Sequence, residues 1–256
     1  MIKLDHHQEA YLYYFDHYPV FELYISYAKK YRDYDVYVDD LIHPKTLIMY
    51  VEPAFILYGQ TNHLLADSIK KIIAKGSWII SPDQSWDSFL KDLFKDHMQS
   101  FPRLLCDGTK LSIDHLKTLQ KPLPEELSIV PIEQKYLTEG MIKDQIIDKF
   151  FQNIDFMSHG YGLALVNRQG VIHGYALTNY PIDNEKEIEV SYRVGYDDYQ
   201  VYRNRGIGTT LVSRFLEETL HKGYIPIWDA ANQISQHIAH KLGYEDHYHW
   251  FMHHII

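Results

Sequence analysis

The chain has 256 residues, enough for one large domain or two small ones. Hydrophobic residues make up 46% and charged residues 23%, the balance of an ordinary globular protein. A net charge of −9 offers no overall basic field, which argues against nucleic acid as a partner, and no apolar run reaches the length of a membrane span.

The N-terminus, Met1-Ile2-Lys3-Leu4-Asp5-His6-His7, is polar and lacks the apolar stretch of a signal peptide. The one cysteine, Cys106, excludes an intrachain disulfide and a thiolate metal cluster and suits a reducing cytoplasm. His7 to Lys30 carries apolar residues at helical spacing, broken by Pro19. Its many tyrosines read as packing residues in place of Phe and Leu. Strands are expected over 46–51 and 54–58, and a helix over 64–74 that stops at Lys75-Gly76. Residues 77–80 predict a short strand. A helix over 88–98, capped by Ser85 or Asp87, and a strand over 103–106 follow.

Gln120-Lys121-Pro122-Leu123-Pro124-Glu125-Glu126 cannot continue a helix, so the domain division is expected near residue 124. Beyond it, 127–132 predicts a strand and 138–150 a helix. Residues 162–167 and 171–178 predict strands joined by Arg168-Gln169-Gly170. From Glu187 to Val194 the text alternates, with Ile188, Val190, Tyr192 and Val194 on one face. Ile207, Leu211, Phe215, Leu216 and Leu220 form the stripe of a helix closed by Lys222-Gly223. A strand over 225–229, a helix over 232–242 with Ile234, Ile238 and Leu242 on one face, and a terminal strand over 244–256 complete the chain.

The motif with the most chemistry is Arg203-Asn204-Arg205-Gly206-Ile207-Gly208, which leads into the long helix. Its glycines let backbone approach a ligand closely. The helix aims its unpaired N–H groups and the positive end of its dipole at the same place. Arginine adds charge that suits phosphate oxygens.

The element order, this loop, the segment Trp228-Asp229-Ala230-Ala231-Asn232-Gln233-Ile234-Ser235 and Leu242-Gly243-Tyr244 resemble the GNAT N-acetyltransferase superfamily from about residue 127 onward. The Trp-Asp-x-x-Asn-x-x-Ser text looks like the zwittermicin A resistance-type acetyltransferases, which also carry an extra N-terminal half. The resemblance implies an α/β (α+β) fold: a GNAT-like, mixed but mostly antiparallel sheet flanked by helices over 125–256. A smaller α/β domain, a degenerate GNAT-like half, would occupy 1–124.

It implies acetyl-CoA as cosubstrate, with a small-molecule amine as acceptor and a cytoplasmic location, and leaves a homodimer open. Arg203, Asn204, Arg205, Gly206, Ile207, Gly208 and Thr209 would hold the pyrophosphate. Val194 would present its backbone to the pantetheine amides at a splay between two strands. Asn232, with Ser235 one turn on, would bond the pantetheine arm, since an amide both donates and accepts.

Transfer to an amine of pKa ~10.4 at pH 7 requires a deprotonation costing about 4.6 kcal/mol. Glu189 is the candidate base, directly or through water. A solvent-facing charge on an antiparallel strand is the plainer reading of that residue. The family's acid-bearing tyrosine position is Ala239 here, which motivates an alternative: a non-catalytic CoA-binding or regulatory protein on the same fold. The loop from Gly195 to Val201 is also longer than the family's compact spacing. His247, His249 and His253 would share one strand face, with His254 on the other; no metal role is assigned to them. Cys106 lacks a nucleophile's neighbours, Trp228 reads as core, and Asp229 as a cap or orienting group for the following helix.

Overall fold

The computed structural model describes residues 1–5, 9–15, 18–31, 34–151, 154–179, 187–194 and 205–256. The chain forms two compact units: Met1–Leu104 with Tyr248–Ile256, and Leu105–His247. The Pro122/Pro124 segment lies inside the second unit. Among the described residues, no helix is long and apolar enough to cross a membrane.

The first unit begins with β1 (Ile2–Lys3), α1 (Glu9–Leu12), α2 (Glu22–Tyr31) and β2 (Asp35–Val38). Then come β3 (Thr46–Val51), β4 (Ala54–Gly59), α3 (Ala66–Ile72), β5 (Trp78–Ile80), α4 (Gln84–Phe94) and β6 (Met98–Asp107). The last residues of β6 count with the second unit. β2, β3 and β4 form an antiparallel meander, and β5 runs parallel to β4, from Ala54↔Trp78 to Ile56↔Ile80. Leu47, Ile48, Met49, Ile56 and Leu57 are fully buried, as expected of near-continuous apolar strands covered on both faces.

The helix expected over 88–98 starts earlier. Asp83 caps it by accepting from the N–H groups of Ser85 and Trp86, at 2.8 and 3.0 Å. The helix therefore ends at Phe94, and Met98 opens a strand. The strand expected over 103–106 accordingly runs from Met98 to Asp107.

The second unit holds α5 (Ile113–Leu119) and β7 (Leu127–Pro131). A π-helical turn over Lys143–Ile147 then leads into α6 (Asp148–Phe150), followed by α7 (Phe156–His159). Next come β8 (Gly162–Asn167), β9 (Ile172–Thr178), β10 (Glu187–Val194), α8 (Ile207–His221), β11 (Ile225–Ala230) and α9 (Gln233–Leu242). β12 (Glu245–Ile255) enters the first unit at Tyr248.

β7 to β10 are antiparallel, and β11 is parallel to β10, so the fold is mixed, mostly antiparallel and flanked by helices. One face of β8 and β9 packs Ala164, Val166, Tyr175 and Leu177 against Tyr136, Ile142, Phe151 and Phe156. Gly170, at φ 80, closes the hairpin, and the Asn167 carboxamide oxygen accepts from the N–H groups of Gln169 and Val171. On α8, Ile207, Leu211, Phe215 and Leu216 are buried as the periodicity predicts. On α9 the expected stripe is only half used. Leu242 is fully buried, whereas Ile234 is 75% exposed, because the first turn of the helix stands clear of the core.

In the first unit, β12 pairs antiparallel with β5, from Met252↔Ile80 to His254↔Trp78. This brings His253 into the interior. Its Nε2 lies 2.9 Å from Asp87 Oδ1 and 3.3 Å from Ser81 Oγ, and its Nδ1 lies 2.9 Å from Ser100 Oγ. Ser81 also donates to Asp87. His247 and His249, expected on the same face, are exposed.

Candidate functional site

The candidate site is built where β10, α8, β11 and α9 of the second unit meet. β10 changes partners along its length. Its register with β11 runs from Glu187↔Ile225 to Glu189↔Ile227, and its register with β9 runs from Val190↔Thr178 to Val194↔Gly174. Both parallel strands continue past their last shared pair, β10 to Val194 and β11 to Ala230. Unpaired strand edges of this kind present N–H and C=O groups to an extended, amide-bearing ligand. Glu189 is the last β10 residue in register with β11, and Val194 is the last residue of the strand. Glu189 thus stands where the strands part, and Val194 lies beyond it at the end of β10, paired with Gly174 of β9.

α8 packs against both strands. Gly206 takes the left-handed conformation, φ 80 and ψ 8, and provides no side-chain cap. The first helical hydrogen bond is from Thr210 N–H to the Gly206 carbonyl, at 2.9 Å. The amides of Ile207, Gly208 and Thr209 therefore head the helix without an intrahelical acceptor, the arrangement that favours an anion. A Cβ at Gly206 would come within 3.2 Å of Lys121 Cδ, and Lys121 Nζ lies 3.7 Å from the same point. The Thr210 hydroxyl accepts from Lys121 N–H at 3.0 Å and donates to the Gly206 carbonyl at 3.1 Å. Arg205 is exposed at the loop's end, and Arg203 and Asn204 lie outside the described residues.

α9 is capped by Asn232 rather than Asp229. Asn232 Oδ1 accepts from Ser235 N–H at 2.9 Å, which leaves the carboxamide NH2 as the donor for a ligand. The Ser235 hydroxyl is engaged too: Trp228 Nε1–H donates to it at 3.0 Å. Trp228 is 4% exposed, as expected of a core residue, with ring centroids of Tyr192 and Tyr244 at 5.9 and 5.7 Å. It therefore joins the end of β11 to the first turn of α9 and fixes the direction of Asn232.

Ala239 is fully buried, so no proton donor stands at that position. Cys106 is buried as well. Burial, with the carboxylates of Asp246 and Asp229 adding to it, pushes its thiol up to about 12 from an ordinary 9.0. Such a thiol is no nucleophile near neutral pH.

Two side chains at the site escaped the sequence reading. Lys121 reads only as a charge before a proline, and nothing local signals that it reaches Gly206. Trp228 is legible as buried, but its bond to Ser235 depends on how strand and helix meet.

A family model described as GNAT acetyltransferase matches residues 23–252. An uncharacterised N-acetyltransferase of Bacillus subtilis (strain 168), YdfB, is 27% identical over 225 residues, 82% of this chain and 81% of that protein. Among solved structures, a GCN5-related N-acetyltransferase-like protein from Streptococcus suis 89/1591 superposes with a TM-score of 0.70 at 23% identity. That match covers 86% of this chain and 88% of the other. A tandem GNAT protein from the clavulanic acid biosynthesis pathway gives a TM-score of 0.55 at 13% identity, over 86% and 82% of the two chains. At these identities the structural likeness speaks for the fold alone.

Proposed function

The chain belongs to the GNAT acetyltransferase family, and from that premise we propose that it transfers the acetyl group of acetyl-CoA to the amine of a small molecule in the cytoplasm. The observation that carries the reading is the uncapped N-terminus of α8 at Gly206, on a helix that packs against the two strands that part, β10 and β11. The residues present fit the cosubstrate. A left-handed glycine without Cβ and three open amides suit a pyrophosphate, and the strand edges suit the pantetheine amides. In this reading the second unit, which holds most of 125–256, forms the acetyl-CoA-binding part, and the first unit, which holds most of 1–124, forms a degenerate GNAT-like half.

Arg203, Asn204, Arg205, Gly206, Ile207, Gly208 and Thr209 hold the pyrophosphate, the arginines by charge and the rest by backbone N–H. The Val194 backbone and the Asn232 carboxamide hold the pantetheine arm, and Ser235 fixes the turn on which Asn232 sits. The thioester supplies the activated acetyl group. Glu189 removes a proton from the ammonium of the acceptor, directly or through water, so that the amine lone pair is free to attack. A backbone N–H near Val194 donates to the thioester oxygen as negative charge develops there. The products are an amide and free CoA thiol. The net charge of −9 favours a cationic acceptor. The Trp228–Ser235 segment supports a place near the zwittermicin A resistance-type enzymes.

Calorimetry with acetyl-CoA is the first test: micromolar binding is expected, and no heat at millimolar ligand rejects the reading. Thiol release over a panel of amines then tests transfer. Glu189→Gln is expected to slow it about a hundredfold with unchanged acetyl-CoA affinity. Equal rates would remove Glu189 from the role.

A further inference from the structure

We propose that Lys121, from the segment joining α5 to β7, is a further ligand of the cosubstrate and grips its pyrophosphate from outside the glycine loop. This rests on the acetyl-CoA reading above and adds a residue that lies beyond the loop and both helices.

The placement of Lys121 is held from both sides. Ahead of it, Gln120 Nε2 donates to Glu217 Oε2 at 2.7 Å, and Lys117 Nζ lies 3.6 Å from Glu217 Oε1, so the end of α5 is tied to α8. At Lys121 itself the backbone N–H donates to the Thr210 hydroxyl, which in turn donates to the Gly206 carbonyl. Behind it, Pro122 restricts Lys121 to extended backbone. One threonine on the first turn of α8 thus fixes both the helix-capping glycine and the lysine backbone.

The lysine side chain then lies along the face of Gly206 that lacks a Cβ, with its Cδ, Cε and Nζ at 3.2, 3.5 and 3.7 Å from where that atom would stand. Among the described residues no carboxylate pairs with this ammonium, whereas Glu217 takes the charge of its neighbour Lys117. A lysine donor is therefore held against the same glycine whose helix offers three amides without an intrahelical acceptor. The amides bind phosphate oxygens on the helix axis. The ammonium adds a charge-assisted bond from the flank, where no backbone donor of α8 points.

The test uses the full chain. Acetyl-CoA affinity is measured by calorimetry for the native protein, Lys121→Gln and Lys121→Arg, at low and high salt, with thermal melts alongside. Lys121→Gln is expected to weaken binding about tenfold at low salt, with a shallower salt dependence and an unchanged melting temperature. Lys121→Arg is expected to stay within about threefold of native. The backbone bond to Thr210 survives in both variants, so an altered melt with unaltered affinity would mean a structural role and overturn the proposal. Affinity for Lys121→Gln within twofold of native overturns it as well.

Acetyl-dephospho-CoA separates the two phosphate sources. A loss that persists with it supports the pyrophosphate contact. A loss that disappears assigns Lys121 to the ribose phosphate and overturns the contact proposed. Should the native protein bind no acetyl-CoA, the functional reading falls and this contact with it. Native binding that is indifferent to Lys121 removes the contact alone.

Discussion

The two units share a succession of elements and differ at the turn after its third strand. Each has three antiparallel strands, a helix, a strand parallel to the third and a second helix: β2–β3–β4–α3–β5–α4 in the first, β8–β9–β10–α8–β11–α9 in the second. In the first unit the chain leaves β4 at Gly59, where a Cβ would sit 2.0 Å from the Lys45 carbonyl oxygen, so backbone already fills the space. Asn62 then caps the next turn, its side chain accepting from Leu64 N–H at 2.9 Å, and α3 is seven residues long. In the second unit the turn at Gly206 has no side-chain cap, and α8 is fifteen residues long. The same arrangement of strands and helices is closed in one place by its own side chain and open in the other. A binding site here is a matter of which donors are left unused, and fold alone does not decide it.

The comparison is sharpened most by removing His253. In the first unit the polar groups of Ser81, Asp87, Ser100 and His253 satisfy one another, and His253 has no exposure. His253→Ala takes the imidazole from Asp87 and Ser100 and leaves Asp87 with Ser81 alone, a change expected to cost about 3 kcal/mol in denaturant unfolding. A loss under 1 kcal/mol would show that water replaces the imidazole and that the network is not closed. Gly206→Ala comes next. It forces a side chain into φ 80 and against Lys121, and is expected to weaken acetyl-CoA binding at least tenfold, with about 1 kcal/mol lost in stability. Unchanged affinity would mean that the open turn is not where the phosphates bind.

How far these differences could be read from sequence depends on their range. Alternation marks β10, periodicity marks α8, and Gly243 marks the end of α9, because each signal sits within a few neighbouring residues. The start of α4 is misjudged because Asp83, Ser85 and Asp87 all suit a cap, and only the backbone settles that Asp83 accepts while Asp87 turns inward to His253. That pair lies 166 residues apart, and Lys121 and Gly206 are also distant in sequence, so no local pattern announces either contact. Ile234 shows the converse: periodicity marks an apolar stripe but not how much of it meets a core. The glycine loop suggests an anion site already in sequence because that logic is carried by backbone. The proposed base stands out less, because alternation on β10 gives Glu189 and Glu187 the same face.

Trp228→Phe tests the second unit more gently. It keeps an aromatic ring beside Tyr192 and Tyr244, deletes the bond to Ser235 and removes part of the buried ring volume. About 1 kcal/mol of stability and a two- to fivefold loss of acetyl-CoA affinity are expected, since Asn232 loses part of what directs it. A loss of stability with full affinity would place Asn232 outside the ligand's reach.

The smallest effect is expected from Asn62→Ala, and it bears on the comparison most directly. The substitution uncaps the first unit's turn and costs about 1 kcal/mol. It opens one amide, that of Leu64, but ahead of it stands the backbone of Gly59 pressed on Lys45, and behind it a short helix entered through a single 3₁₀ turn, His63–Leu65. A helix this short has a weak dipole and few aligned donors. Calorimetry should therefore give one acetyl-CoA per chain for the native protein and still one for Asn62→Ala, with the same affinity. A second equivalent in the variant would mean that the cap alone kept the first unit closed, and that helix length and the backbone at Gly59 count for little. One equivalent makes the open turn a property of the whole second-unit arrangement: left-handed glycine, long helix and parted strands together.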